Sequence, residues 1–348
     1  MTNDAGTRVV FLILDGLPVE VVEPSTMPVL TGWCTDSGTS PHSIPAVMPA
    51  STYPNHATWV TGELPVVHGI VGNHVLDGGG RFRAARDVGP GVPTIFDAVN
   101  AAGLTSSVVV SDQDLIGVMG AHAATTHWPP GGAIPDGAST DAHGYLDDSV
   151  TLPWLIRAVS GDAHLVVGHL NAPDTAGHVY GPDAAHEVYR ETDTRLASVR
   201  DAIESAADDR VVVVVSDHAH ETITERAPID LSPALEGTGL QWFPEGSAGV
   251  VYGARDELAS LLADTPGVAG IEALAPEVHV VWGEEGCWLC FAGIDAEPGM
   301  HGSPRTARQL AAVVGTHPAV PELDARVAGP GFDATSWYAE LRGLLGIA

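Results

Sequence analysis

The chain has 348 residues, 45% of them apolar, and sets 15 basic against 44 acidic side chains for a net charge of −29. Length and apolar fraction fit a substantial core, in one large domain or two modest ones, and exclude a disordered chain. The charge argues against nucleic acid and anionic membranes as partners, and because the chain has no lysine, arginine carries all 15 basic charges.

The N-terminus, "MTNDAGTRVVFLILDG", has an acidic lead and six apolar residues before Asp15. That run is too short for a secretory signal or a membrane span. Three sparse cysteines form no disulfide framework, and together these features predict a soluble, cytoplasmic protein. The run at 8–15 reads as a strand. Next comes "MPASTYPNHATWVTGELPVVHGIVGNHV" at 48–75, where Ser51 and Thr52 precede Pro54. Taken alone, this stretch reads as a helix start, with a hydroxyl cap and a proline in the first turn.

Further along, "VPTIFDAVNAAG" reads as a helix ending at Gly103, and 106–112 and 164–171 read as strands. Helical spacing runs through 184–206, and a pentavaline strand at 210–218 follows. Residues 219–298 carry weaker, mixed patterns and are expected to form a cap-like insertion, with 1–218 and 299–348 as the core. Within the insertion, Cys287 and Cys290 sit in "GCWLCFAG", which reads as an apolar strand; with no second pair to complete a metal site, they are expected to be buried strand cysteines. A last helix is expected over 335–346, capped by Thr335 or Ser336. Continuous apolar strands alternating with helices predict an α/β fold with a mostly parallel sheet.

Ligands of such sheets bind beyond the carboxyl ends of the strands. There the first strand delivers Asp15, the strand at 164–171 leads into "NAPDTAGHVYGP" with Asp174 and His178, and the pentavaline strand ends on Asp217 and His218. His301 stands in the glycine-flanked "PGMHGSP". An isolated Asp at a strand end is often only a helix cap, and the chain has 16 histidines. The six together are another matter. Carboxylates and imidazoles in this number suit two divalent ions, which can hold the attacking and leaving oxygens of an in-line displacement at phosphorus.

The set "LDG", "STYPNHATWVTG…HGIVGN", "PDTAGHVYGP", "VSDHAHE" and "MHGSP" resembles the nucleotide pyrophosphatase/phosphodiesterase family of the alkaline phosphatase superfamily, over Asp15 to His301. The resemblance implies an alkaline-phosphatase-like three-layer α/β/α sandwich. It implies that Thr52 is the nucleophile and passes through a covalent phospho-threonine. By the same match, Asp174, His178 and His301 would hold one Zn2+, and Asp15, Asp217 and His218, with the Thr52 oxygen, the other; Mn2+ is a second candidate metal. Asn73 matches an asparagine that hydrogen-bonds a phosphoryl oxygen. The implied activity is hydrolysis of a phosphodiester or pyrophosphate bond in a nucleotide-like small molecule.

Three other activities fit the same centre: phosphomonoester hydrolysis, C–P cleavage of the phosphonoacetate hydrolase type, and phosphotransferase or phosphomutase chemistry. Phosphonoacetate hydrolases characteristically place lysines near the segment "VPTIFDAVNAAGLTSSVVVSDQDL", where this chain has Gln113 and no lysine. A monoesterase usually adds a cation beside the metal pair, and Arg305 is the best-placed arginine by sequence. The preference expected is therefore for diesters. The sequence leaves the oligomeric state open.

Overall fold

The computed structural model describes residues 7–206, 209–253 and 258–347. Its central sheet has seven strands: β1 (Arg8–Leu14), β2 (His42–Pro45), β3 (Ser106–Val109), β4 (Thr126–Trp128), β5 (Leu165–Leu170), β6 (Arg210–Val215) and, after a second sheet, β11 (Arg308–Val314). The second sheet is four-stranded and antiparallel, made of β7 (Gln241–Glu245), β8 (Ala248–Tyr252), β9 (Val268–Ala275) and β10 (Val278–Gly283). The order across the main sheet is β2-β11-β6-β1-β5-β3-β4. β1 pairs in parallel with β5 and β6, β3 in parallel with β4 and β5, and β11 runs antiparallel to both its neighbours.

Strand side chains alternate between faces, so β1 feeds two separate cores. Val9, Phe11 and Ile13 face one layer, built from α2 (Thr52–Thr61), α3 (Ile95–Ala101), α7 (Val320–Val327) and α8 (Ser336–Leu344). Val10, Leu12 and Leu14 face the other, built from α1 (Pro28–Ser37), α4 (Asp148–Val159) and α6 (His186–Glu204). The result is a three-layer α/β/α architecture. Both faces of the inner strands are covered, which is why they read as unbroken apolar runs.

Two expectations fail locally. Thr335 occupies the N-cap of α8, but its hydroxyl donates to Asp333 Oδ1 at 2.6 Å and caps no helix amide. The segment around Cys287 and Cys290 is not a strand. Only Leu289 makes an isolated bridge, to Ile229, and the apolar spacing serves two separate small clusters. Cys290 is buried and Cys287 half-buried. Among the described residues, no helix is long and apolar enough to cross a membrane.

α2 governs the position of the site. Residues 53–61 are all buried, so this helix is held on every side. Phe11 of β1 meets Trp59 of α2 and Trp337 of α8 edge-on, each at 5.6 Å between centroids, which clamps both helices to the sheet. Each such pair contributes roughly 0.5–1.5 kcal/mol beyond its buried area. The helix stops at Gly62, whose φ of 72° suits a residue without Cβ.

Candidate active site

The site is assembled where β1, β5 and β6 end. The turn after β1 presents Asp15, α5 (Ala172–Tyr180) after β5 presents Asp174 and His178 one turn apart, and β6 runs into Asp217 and His218. His301 arrives on a loop after the two-residue strand Gly299–Met300, which pairs with Glu221–Thr222 and not with the central sheet. All the expected ligand positions converge. His218 Nε2 lies 3.1 Å from Asp217 Oδ2 and 3.9 Å from both Asp15 Oδ1 and Asp174 Oδ1. Asp174 Oδ1 lies 3.6 Å from His178 Nε2 and 3.9 Å from His301 Nε2, and the His301 ring stacks on His218 with centroids 3.8 Å apart.

Thr52 opens α2 with its Oγ1 3.2 Å from His218 Nε2. Ser51 points elsewhere. Its hydroxyl, fully buried, donates to Glu245 Oε2 at 3.4 Å and does not cap the helix. Asn55 fixes the turn from within: its carboxamide donates to the Ser51 carbonyl at 2.9 Å and accepts from the Val47 amide at 2.9 Å. Gln309 of β11 then donates both to Asn55 Oδ1 at 2.8 Å and to the Asp217 carbonyl at 3.0 Å. The start of α2 and the loop that carries Asp217 and His218 are thus tied through one buried amide.

Asn73 is exposed, and its amide donates to Glu245 Oε1 at 2.6 Å. Glu245, at the end of β7, therefore bridges the residue before Thr52 and the backbone of Asn73. A Cβ on Gly72 would collide with this carboxylate, so only glycine fits beside it. Burial pushes the Glu245 carboxyl up to about 8, against the opposing donors Asn73, Ser51 and His74. A carboxyl raised in the folded state stabilises the fold fully below its unfolded value, and that contribution is lost as pH rises to about 8. Glu245→Gln copies the neutral form. Its melting temperature is expected to fall less than that of the wild type between about pH 5 and about pH 9; parallel curves for the two proteins would overturn this role.

Several site residues carried no clear sequence signal. His169, near the end of β5, accepts from the Ser111 amide at Nδ1 and donates from Nε2 to Asp15 Oδ2 at 2.7 Å. His56 donates from Nδ1 to the Thr52 carbonyl at 2.8 Å. Glu297 accepts from His143 at 2.9 Å and faces His178 Nδ1 at 3.2 Å, and these two imidazoles hold its carboxyl down at about 2. His220 lies 3.2 Å from Asp174 Oδ1. A signal existed for it, because His218 and His220 are two apart in extended chain and can share a face.

The electrostatics suit cations. Burial raises Asp15, and the charges of Asp217 and Asp174 raise it further. For Asp174, burial is outweighed by His178, His220 and His301, and for Asp217 by His218 and His56, so both are lowered. Asp15 Oδ1, Asp174 Oδ1, Asp217 Oδ2 and His220 Nε2 are buried polar atoms without a hydrogen-bond partner. Orphaned acceptors of this kind are explained when a cation sits among them. Asp15, Asp217 and His218, and Asp174 with His218, His220 and His301, each place one ligand atom apiece within 4.8 Å of one another. The residues present fit two divalent ions.

Three layers, a mostly parallel sheet and a buried carboxylate–imidazole cluster beside a threonine at a helix start make up a candidate metal centre at the carboxyl edge of the sheet. The sequence profile of the type I phosphodiesterase/nucleotide pyrophosphatase family matches residues 9–274, and the chain belongs to that family. It is similar to ectonucleotide pyrophosphatase/phosphodiesterase 2 of Saccharomyces cerevisiae, 32% identical over 83 residues, which are 22% of this chain and 17% of that protein. Among solved structures, it resembles murine ectonucleotide pyrophosphatase/phosphodiesterase 5, an inactive variant in complex with AMP, at 17% identity and a TM-score of 0.72, covering 98% of this chain and 96% of the other. It also resembles phosphonoacetate hydrolase from Sinorhizobium meliloti in complex with phosphonoformate, at 17% identity and a TM-score of 0.69, with the same shares covered. At these identities the structural likeness speaks for the fold.

Proposed function

We propose that this protein hydrolyses phosphodiester or pyrophosphate bonds of a nucleotide-like small molecule through a phospho-threonine on Thr52. The observation that carries this reading is the direction of the two neighbouring hydroxyls: Thr52 Oγ1 faces His218 at 3.2 Å, while Ser51 is turned to Glu245. In this reading, Asp174, His178 and His301 hold one zinc ion, and Asp15, Asp217, His218 and the Thr52 oxygen the other. Bound there, the ions would polarise phosphoryl oxygens and favour the ionised threonine hydroxyl. Thr52 then attacks phosphorus in line, displacing the leaving alcohol or phosphate. The start of α2 has no side-chain cap, and uncapped amides at a helix N-terminus suit an anion. Asn73, its backbone held by Glu245, donates to an equatorial phosphoryl oxygen, and water completes hydrolysis of the phospho-threonine.

The ester class follows from the arginines. Arg305 Nε pairs with Glu221 Oε2 at 2.6 Å, and its Nη2 donates to Glu221 and to the carbonyls of Gly283 and Glu284 at 3.2, 3.0 and 3.3 Å. This guanidinium is already paired with Glu221 and two carbonyls, so the extra charge of a monoester dianion gains little from it. The absence of lysine counts likewise against phosphonoacetate as substrate. Steady-state comparison of a nitrophenyl nucleoside diester with nitrophenyl phosphate is expected to favour the diester by at least about tenfold in kcat/KM, roughly 1.4 kcal/mol of transition-state binding. A preference for the monoester would overturn the reading.

A further inference from the structure

The His220 ring occupies a slot that the backbone keeps open for it. A Cβ on Gly16 would lie 2.6 Å from His220 Cε1, and a Cβ on Gly177 would lie 2.6 Å from both Cε1 and Nδ1. Two glycines, one in the turn after β1 at a φ of 63° and one inside α5, thus admit the imidazole edge where any side chain would exclude it. On one side of the ring, Nδ1 faces the Gly16 carbonyl at 3.3 Å. A carbonyl can only accept, so Nδ1 carries the hydrogen, and in the neutral ring Nε2 presents a lone pair. That lone pair faces a second acceptor, Asp174 Oδ1, at 3.2 Å, and neither atom has a hydrogen-bond partner.

Two acceptors facing each other at this distance in a buried site require a cation between them. Ligand atoms of a tetrahedral zinc ion, with bonds of about 2.0–2.2 Å, sit roughly 3.3–3.6 Å apart. The 3.2 and 3.6 Å separations of Asp174 Oδ1 from His220 and His178 fall close to that range. A backbone carbonyl holding the far nitrogen of a ligating histidine is also the usual way its tautomer is set. We propose that His220 is a fourth protein ligand of the ion held by Asp174, His178 and His301. The inference rests on the two-ion reading above. It makes this site a three-imidazole, one-carboxylate set, which selects zinc or another late transition ion over magnesium or manganese, whereas the site at Asp15, Asp217 and His218 is oxygen-rich.

The test uses the full chain stripped of metal and titrated with cobalt, followed by its visible d–d absorption and by proton NMR of hyperfine-shifted imidazole resonances. Wild-type protein is expected to bind two equivalents and to show shifted signals from His178, His218, His220 and His301. His220→Gln keeps a polar side chain in the slot. It is expected to weaken one of the two equivalents by on the order of 100-fold, to change that equivalent's spectrum and to leave the other unaltered. If the variant binds both ions with wild-type affinity and spectrum, or if the wild-type His220 ring shows no hyperfine shift, His220 is instead a protonated partner of Asp174 and the assignment is overturned. Wild-type protein that takes up no cobalt would overturn the two-ion reading itself. The NMR measurement on the wild type decides the matter even if the variant does not fold.

Discussion

Thr52→Ala is expected to leave a folded protein that still binds its metal ions but turns over slower by on the order of 10^3-fold or more. The side chain contributes one oxygen to a cluster in which Asp15, Asp217 and His218 already converge, so its loss leaves the remaining ligands in place. Alanine is also a good helix former, and Asn55 holds the turn through the Ser51 carbonyl, which the substitution does not touch. What disappears is the only proposed nucleophile. Ser51→Ala should behave differently, with activity within about tenfold of the wild type, because the Ser51 hydroxyl faces Glu245. Quench-flow with a nitrophenyl diester, alongside metal analysis of both variants, makes the comparison. A dead Ser51→Ala enzyme beside an active Thr52→Ala enzyme would reverse the assignment.

Removal of metal is expected to abolish hydrolysis and to lower thermal stability at the same time. Asp15, Asp174 and Asp217 are buried carboxylates in one cluster, and their mutual repulsion is what a pair of dications would neutralise. An ion present at 100 times its dissociation constant adds about 2.7 kcal/mol to folding stability, so two sites contribute about twice that. Gently purified protein should carry close to two equivalents by elemental analysis. Chelator should lower the melting temperature by several degrees, and added zinc should restore both the transition and the activity. Full activity in protein stripped of metal would sink the proposed chemistry.

The sequence made the inner part of the fold readable because β1, β5 and β6 are covered on both faces and appear as apolar runs. The outer strands were harder. β2 and β4 are four and three residues long, too short to show a period, and β11 joins the sheet beside β6 by also pairing with β2 across most of the chain. The candidate ligands were legible because each stands at the end of a readable strand or in a glycine-rich loop, and because their motifs resemble those of a family. His169, Glu245 and Glu297 were not, since each acts on another residue that only folding brings near it. Glu245 lies 194 positions from Ser51, and no local pattern announces that contact. The Cys287 to Cys290 segment shows the opposite error: its apolar spacing looks like a strand because its side chains are shared between two clusters.

The Gln309 strut has a bearing on how the molecule is made. Gln309 follows Asn55 by 254 positions and sits on β11, the strand that separates β2 from β6. During synthesis the chain emerges N-terminus first, and Asn55, Asp217 and the parallel strands leave the ribosome well before this amide does. Until it arrives, β2 lacks its pairing partner, β6 has a bare edge and the turn before Thr52 lacks its tie to the Asp217 loop. Catalytic competence is therefore acquired late, after more than 300 residues have been polymerised, and the nascent hydrolase stays unfinished while most of its chain is already outside.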